Sequence, residues 1–126
     1  MQEERRAAQG GEAKPEAALA AAMRARDARA KVRKAVKEGT ATVAQVLADD
    51  DPAVSGMRPK ALLLALPGVG QSKADAMLAA AGIDPGRRLR GLGSRQRAAL
   101  VALVDAHMDE LAAREAGRAG DGRRAR

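Results

Sequence analysis

The larger apolar residues of this 126-residue chain are clustered. Of its 26 Val, Ile, Leu and Met residues, 19 lie between Val43 and Val104. A packed core is expected there, with thinly packed sequence on either side. From Pro15 to Glu38 the chain is dominated by Ala, Arg, Lys and Glu and has no internal Gly or Pro. Ala has the highest helix propensity, Pro15 suits a first helical turn, and Gly39 suits a stop just past the end. The spacing predicts one long helix over 15–38. Its larger apolar residues are only Leu19, Met23, Val32 and Val36, so it should project, with its C-terminal end docked. Thr42 is placed to cap a short helix from Val43 to Asp49, and the Asp49-Asp50-Asp51-Pro52 run ends it. Pro59 opens a helix to Leu66 in which Leu62, Leu63, Leu64 and Leu66 predict extensive burial. Proline at 67 stops it, because the residue before proline disfavours helical backbone. The next helix starts at Gly70 or Ser72 and runs to Ala81, with Gly82 as its stop. Ile83 to Gly93 reads as a loop. Ser94 caps a last helix that turns Leu100, Val101, Leu103 and Val104 inward and continues through Met108 and Leu111. Five helices and no strand define an all-α fold.

The ends look different. Residues 1–14 and 113–126 are polar or Gly/Arg-rich, lack an apolar face, and are expected to be unstructured.

Composition narrows the function. Phe, Tyr, Trp and Cys are all absent. Without aromatic platforms, base stacking on single strands is disfavoured. Without thiols there is neither a disulfide framework nor a thiolate metal site. No apolar run reaches membrane-spanning length. Alanine supplies 32 residues of the 46% hydrophobic fraction, so Leu and Val must make the core. The net charge is +7, and it is localised. Residues 58–100 carry 8 basic and 2 acidic side chains. A basic folded segment reads as a surface for a polyanion.

Two motifs carry chemistry. The first is Leu66-Pro67-Gly68-Val69-Gly70-Gln71-Ser72-Lys73, which joins two helices through a Gly-apolar-Gly turn. Glycine at 68 and 70 allows positive φ and removes Cβ atoms that would hold off a ligand. The turn amides and the following helix N-terminus then suit a phosphate. Val69 packs inward, and Lys73 adds a charge one turn on. A Walker loop lacks its Ser or Thr here, and a dinucleotide fingerprint lacks its preceding strand and third glycine. An ordinary helix–helix turn is the remaining alternative.

The second motif is Arg87-Arg88-Leu89-Arg90-Gly91-Leu92-Gly93, continued by Arg95 and Arg97. Guanidinium groups fork onto phosphate and fit a narrow minor groove. Leu89 and Leu92 can anchor the segment, which leaves Arg87, Arg88 and Arg90 outside. A solubilising charged loop is the alternative, but Asp84 is the one acid nearby. On the long helix, Arg26, Arg29, Arg33 and Lys37 share a face that is either solvated or directed at DNA. The three consecutive aspartates lack the glycine pattern of a calcium loop and read as capping and turn chemistry. His107 lies between Asp105 and Asp109 and reads as solvated or capping. No nucleophile–base pair and no ligand cluster is recognisable, so neither catalytic residue nor metal nor cofactor is assigned.

Arg58 to Val104 closely resembles the actinobacterial integration host factor family. The carrying residues are Lys60-Ala61-Leu62-Leu63, Leu66 to Gly70, Lys73-Ala74 and Arg87 to Gly93. The upstream Ala/Arg/Lys helix and Gln45-Val46-Leu47 add to the likeness, which spans about 16–108. The resemblance implies a long N-terminal helix followed by a helix-two-turn-helix domain over 42–112, similar to that of ribosomal protein S13, with a helix-hairpin-helix-like turn. It implies double-stranded DNA binding with low sequence specificity, bending or compaction of DNA, support of recombination, and a cytoplasmic, nucleoid location. By motif match Gly68, Val69, Gly70, Ser72 and Lys73 take the hairpin contact, and Arg87, Arg88 and Arg90 the groove and backbone contact. Lys60, Gly91, Arg95, Arg97, Arg26 and Arg33 are weaker contacts. Family members usually carry a basic residue where this chain has Gln71, which shifts weight onto the arginine segment. Pro85 or Leu89 is the candidate wedge between base steps.

The expectation is a monomeric, non-enzymatic DNA-binding protein with no membrane or small-molecule partner. The alternatives are an RNA- or ribosome-associated protein built on the same domain, and a helical adaptor that binds protein through its long helix.

Overall fold

The computed structural model describes residues 2–124, with side-chain surroundings over 15–118. Among the described residues, six α-helices follow one another: α1 (Gln2–Glu38), α2 (Val43–Leu47), α3 (Pro52–Ser55), α4 (Pro59–Ala65), α5 (Gln71–Ala80) and α6 (Ser94–Arg124). A 3₁₀ turn, Leu89–Gly91, precedes α6, and the described residues contain no strand.

Local chemistry accounts for the boundaries. Helix α1 ends at Gly39, where the amides of Gly39 and Thr40 bond back to the carbonyls of Val36 and Ala35 at 3.3 and 2.9 Å. Helix α5 ends the same way, with Gly82 and Ile83 donating to Ala79 and Leu78. Both are Schellman closures. Thr42 caps α2 in a reciprocal box with Gln45: the Gln45 amide donates to Thr42 Oγ1, and the Thr42 amide donates to Gln45 Oε1. Of the three aspartates, Asp51 caps α3 through the Ala53 amide, and Asp49 accepts from the Asp51 amide.

Three differences from the sequence expectation have physical reasons. Helix α3 lies where proline was read as a terminator, because Pro52 stands at its first turn, where proline is favourable. Helices α1 and α6 extend to Gln2 and Arg124, so helical backbone occupies most of the ends expected to be unstructured. In both segments the good helix formers Ala, Arg, Glu and Gln together outnumber glycine. Pro15 consequently sits inside α1 rather than in its first turn. Met1, Ala125 and Arg126 lie outside the described residues. Finally, Leu64 is 39% exposed. In a seven-residue helix at about 3.6 residues per turn, three successive leucines cannot all face inward.

The core is aliphatic. Leu62, Leu63 and Leu100 are completely buried, and Leu78, Leu89 and Val54 nearly so. Val32 and Val36 dock α1 onto this core, whereas Leu19 and Met23 stand exposed farther up the helix. Val101 and Leu103 are half-buried at the rim. Helix α1 packs on α3 and α4, and α6 packs on α2 and α5. Helix α4 is thereby held centrally, with the arginine segment near its start and the glycine turn at its end.

Candidate nucleic-acid interface

The glycine turn connects α4 to α5. The Val69 amide donates to the Leu66 carbonyl at 3.3 Å, with Pro67 and Gly68 as the central residues. Gly68 has φ +77°, which a β-carbon would strain. A β-carbon there would also meet His107 Cε1 at 3.3 Å and Leu111 Cδ1 at 3.6 Å. Gly70 departs from the expectation of positive φ. Its backbone is extended, at φ −95°, and nothing lies within 4 Å of where a β-carbon would stand. Conformation therefore requires glycine at 68, whereas at 70 glycine leaves space open. That space adjoins the N-terminus of α5. The first intrahelical bond there is Ala74 N–H to Gly70 O, so the amides of Gln71, Ser72 and Lys73 lack helical acceptors, and no side chain caps them. Val69 is buried beneath the turn, so what it offers a ligand is backbone.

His107 is corrected by the structure. It is only 5% exposed. Its Nε2 donates to the Pro67 carbonyl at 2.7 Å, and its Nδ1 is buried with no hydrogen-bond partner. The imidazole is a prop under the turn. Its spacing from Leu100 and Val104 places it on the buried stripe of α6, a signal the neighbouring aspartates obscured.

In the arginine segment Leu89 and Leu92 are buried and Arg87, Arg88 and Arg90 are exposed. The Leu89 amide donates to Met57 O at 2.9 Å and fastens the segment to the α3–α4 connection. Arg87 Nη1 donates to Gly91 O and Arg88 Nη1 to Gly56 O, both at 2.7 Å. Each guanidinium is thus oriented while keeping further donors. Asp84 does not pair with them; its carboxylate caps the Gly86 amide. Leu89, at 1% exposure, cannot serve as a wedge, while Pro85 is exposed.

Arg97 belongs to the scaffold rather than the surface. Its Nη1, Nη2 and Nε donate to the carbonyls of Leu47, Leu89 and Leu92 at 2.6, 3.1 and 3.1 Å. It ties α2 and the arginine segment to α6. Arg95, two residues earlier, is exposed.

Lysines on the hairpin side are paired. Lys60 Nζ lies 2.9 Å from Asp75 Oδ1, and Lys73 Nζ lies 4.0 Å from Glu110 Oε2. The one other ion pair among the described residues is Arg114–Glu110. Among the described residues the arginines of 87–90 therefore face no carboxylate within pairing distance, and the stronger uncompensated field lies with them.

Helix α1 adds cations that the sequence could not place. Arg29, Arg33, Arg58 and Arg88 line a groove of about 350 Å³ together with Gly56, Met57 and Ala61. A second groove, of about 580 Å³, continues between α1 and α4 toward Pro67, lined by Arg33, Lys34 and Lys37 over Leu64 and Ala65. Arg26, grouped with them on sequence, is exposed.

A family model described as an S13-like H2TH domain matches residues 36–103, more than half the chain. The integration host factor of Mycolicibacterium smegmatis is 46% identical over 91 residues, covering 71% of this chain and 87% of that protein. That of Mycobacterium tuberculosis is 47% identical over 87 residues, covering 68% and 83%. The chain belongs to the integration host factor family. A solved structure of a family member, sIHF bound to an 8 bp palindromic DNA, is similar to this fold with a TM-score of 0.61 at 38% identity. That similarity covers 63% of this chain and 91% of the other. The family match begins at Val36, so most of α1 lies outside it. The hairpin and the arginine segment both lie within.

Proposed function

We propose that this protein is a non-enzymatic, nucleoid-associated DNA-binding protein of the cytoplasm. It grips double-stranded DNA with low sequence specificity and holds it bent, supporting compaction and recombination. The carrying observation is the placement of two anion-binding devices at opposite ends of α4. At one end the unpaired amides of Gln71–Lys73 open beside Gly70. At the other, Arg87, Arg88 and Arg90 stand exposed on a segment fixed by Leu89 and Leu92. Helix α4 has seven residues, about 10 Å at about 1.5 Å per residue, so both devices reach phosphates of one duplex segment.

The amides take a backbone phosphate, as helix N-termini do. The guanidiniums neutralise the backbone and reach into the minor groove, where narrowing concentrates negative potential. Neither device reads a base edge uniquely, which supports low specificity. Bending costs about 1–6 kcal/mol for a site of this kind, and phosphate bonds made at both ends of α4 offset it. The DNA-bound family member supports this partner for the present chain. The protein acts as a monomer, and Gly68, Val69, Gly70, Ser72 and Lys73 with Arg87, Arg88 and Arg90 form the principal contact set.

Competition between duplex DNA and structured RNA for the full chain, read by fluorescence anisotropy, tests the assignment. Displacement of labelled duplex by unlabelled duplex, and not by RNA at equal phosphate concentration, is expected. Preferential displacement by RNA would transfer the function to a ribosomal or other RNA partner.

A further inference from the structure

Four arginines from three separate stretches of sequence converge on the groove beside Met57. Arg29 and Arg33 come from α1, Arg58 from the start of α4, and Arg88 from the segment before the 3₁₀ turn. Among the described residues, no acidic one lines this groove or the adjoining one that shares Arg33 and Ala61 with it. None of the four arginines forms an ion pair among the described residues. Arg88 alone among them has a hydrogen-bonded partner there, the Gly56 carbonyl at 2.7 Å, and that bond fixes its guanidinium at the groove wall. Four like charges around one concavity repel one another until an anion sits between them.

We infer that this groove is a phosphate-binding site in which α1 acts as a contact element, and that its occupant is a backbone phosphate of the bound duplex. The chemistry follows from the donor set. Guanidiniums form forked, charge-assisted bonds to phosphate oxygens, and those approaching from α1 and from the domain engage the same group. Gly56, Met57 and Ala61, which also line the groove, present no carboxylate to oppose it. Binding there bridges α1 to the arginine segment. The continuing groove, with Lys34 and Lys37 along it, carries the backbone path on toward Pro67 and the glycine turn. A small oligophosphate has the same chemistry and would occupy the same four arginines in competition with DNA. The inference rests on the duplex-binding reading for its choice of occupant, but the phosphate site itself does not.

Two measurements test it. The first compares the salt dependence of duplex affinity for the full chain with Arg29→Gln/Arg33→Gln, which keeps helix-forming side chains and removes two charges. Arg24→Gln/Lys31→Gln removes the same charge from the same helix away from the groove and serves as control. The groove variant should lower the log–log slope by about 0.9, the value for one lost phosphate contact, and the control should keep the parent slope. Far-UV circular dichroism establishes that both retain parental helicity. Equal slopes for the two variants overturn the assignment to a DNA phosphate. The second titrates inorganic pyrophosphate into ¹⁵N-labelled protein. Shifts at the amides of Arg29, Arg33, Met57 and Arg58, lost in Arg29→Gln/Arg33→Gln, identify the groove as a phosphate site open to a free anion. Shifts confined to Gln71–Lys73 overturn it. If the parent chain binds no duplex, the proposed function fails, and the pyrophosphate titration alone decides the groove.

Discussion

Replacing Arg97 should destabilise the domain rather than weaken its grip on DNA. The side chain lies in a run of arginines, yet its three nitrogens each bond a backbone carbonyl, of Leu47, Leu89 and Leu92. A hydrogen bond from a charged donor contributes about 1.5–3 kcal/mol when well buried. Arg97 is partly buried, so water offers its groups an alternative, and about 1 kcal/mol per bond is the fitting value. Arg97→Ala should therefore cost about 3 kcal/mol. Urea unfolding is the assay. With a slope of about 1.5–2 kcal/mol/M for a small domain, the midpoint should fall by about 1.5–2 M. Arg97→Lys keeps the charge but reduces the fork to one ammonium, so about 2 kcal/mol should still be lost. Arg90→Ala provides the contrast: an exposed side chain, removed with a stability change within about 0.5 kcal/mol, and weaker duplex binding. If Arg97→Ala unfolded at the parental urea concentration while flattening the salt dependence of DNA binding, Arg97 would be a phosphate contact and the structural assignment wrong.

Three further outcomes follow from the hairpin. Gly68→Ala should destabilise the fold by about 1–2 kcal/mol, because φ is +77° there and His107 crowds the new methyl; thermal or urea unfolding reads this directly. Gly70→Ala should leave stability nearly unchanged, since φ is −95° and the space is open, but should weaken duplex binding severalfold in an anisotropy titration by placing a methyl group in front of the α5 amides. His107→Ala should cost about 1–3 kcal/mol by orphaning the Pro67 carbonyl and leaving a void beneath the turn. Amide exchange should quicken at Val69 in that variant, and unaltered protection would remove His107 as the turn's prop.

Some of this was legible in the sequence, and the rest was hidden for physical reasons. Helix starts and stops were readable where one or two residues decide the boundary, as in the Thr42–Gln45 box, the stop at Gly39 and the break at Leu66-Pro67. Helix α3 escapes a sequence reading because four residues are too few for periodicity, and because proline marks both the end of one helix and the first turn of the next. Arg97 and His107 share one error. Residues 97, 100, 104, 107 and 111 recur at helical spacing and form one inward stripe of α6, so both polar residues were already on the core face. Gly70 was grouped with Gly68 by motif, although only Gly68 needs a left-handed backbone. The arginine groove was not legible at all. Arg29 and Arg88 stand 59 positions apart by their numbering, and only the packing of α1 on α3 and α4 brings them together.

The central claim is that arginines of the segment before α6 hold DNA by its phosphates. The salt dependence of duplex affinity for Arg87→Ala/Arg88→Ala/Arg90→Ala, against the parent chain, tests it most directly. Three lost phosphate contacts should lower the log–log slope by about 2.7, at about 0.9 each, with weaker binding to every duplex sequence tried. A parental slope in the triple variant would contradict the account.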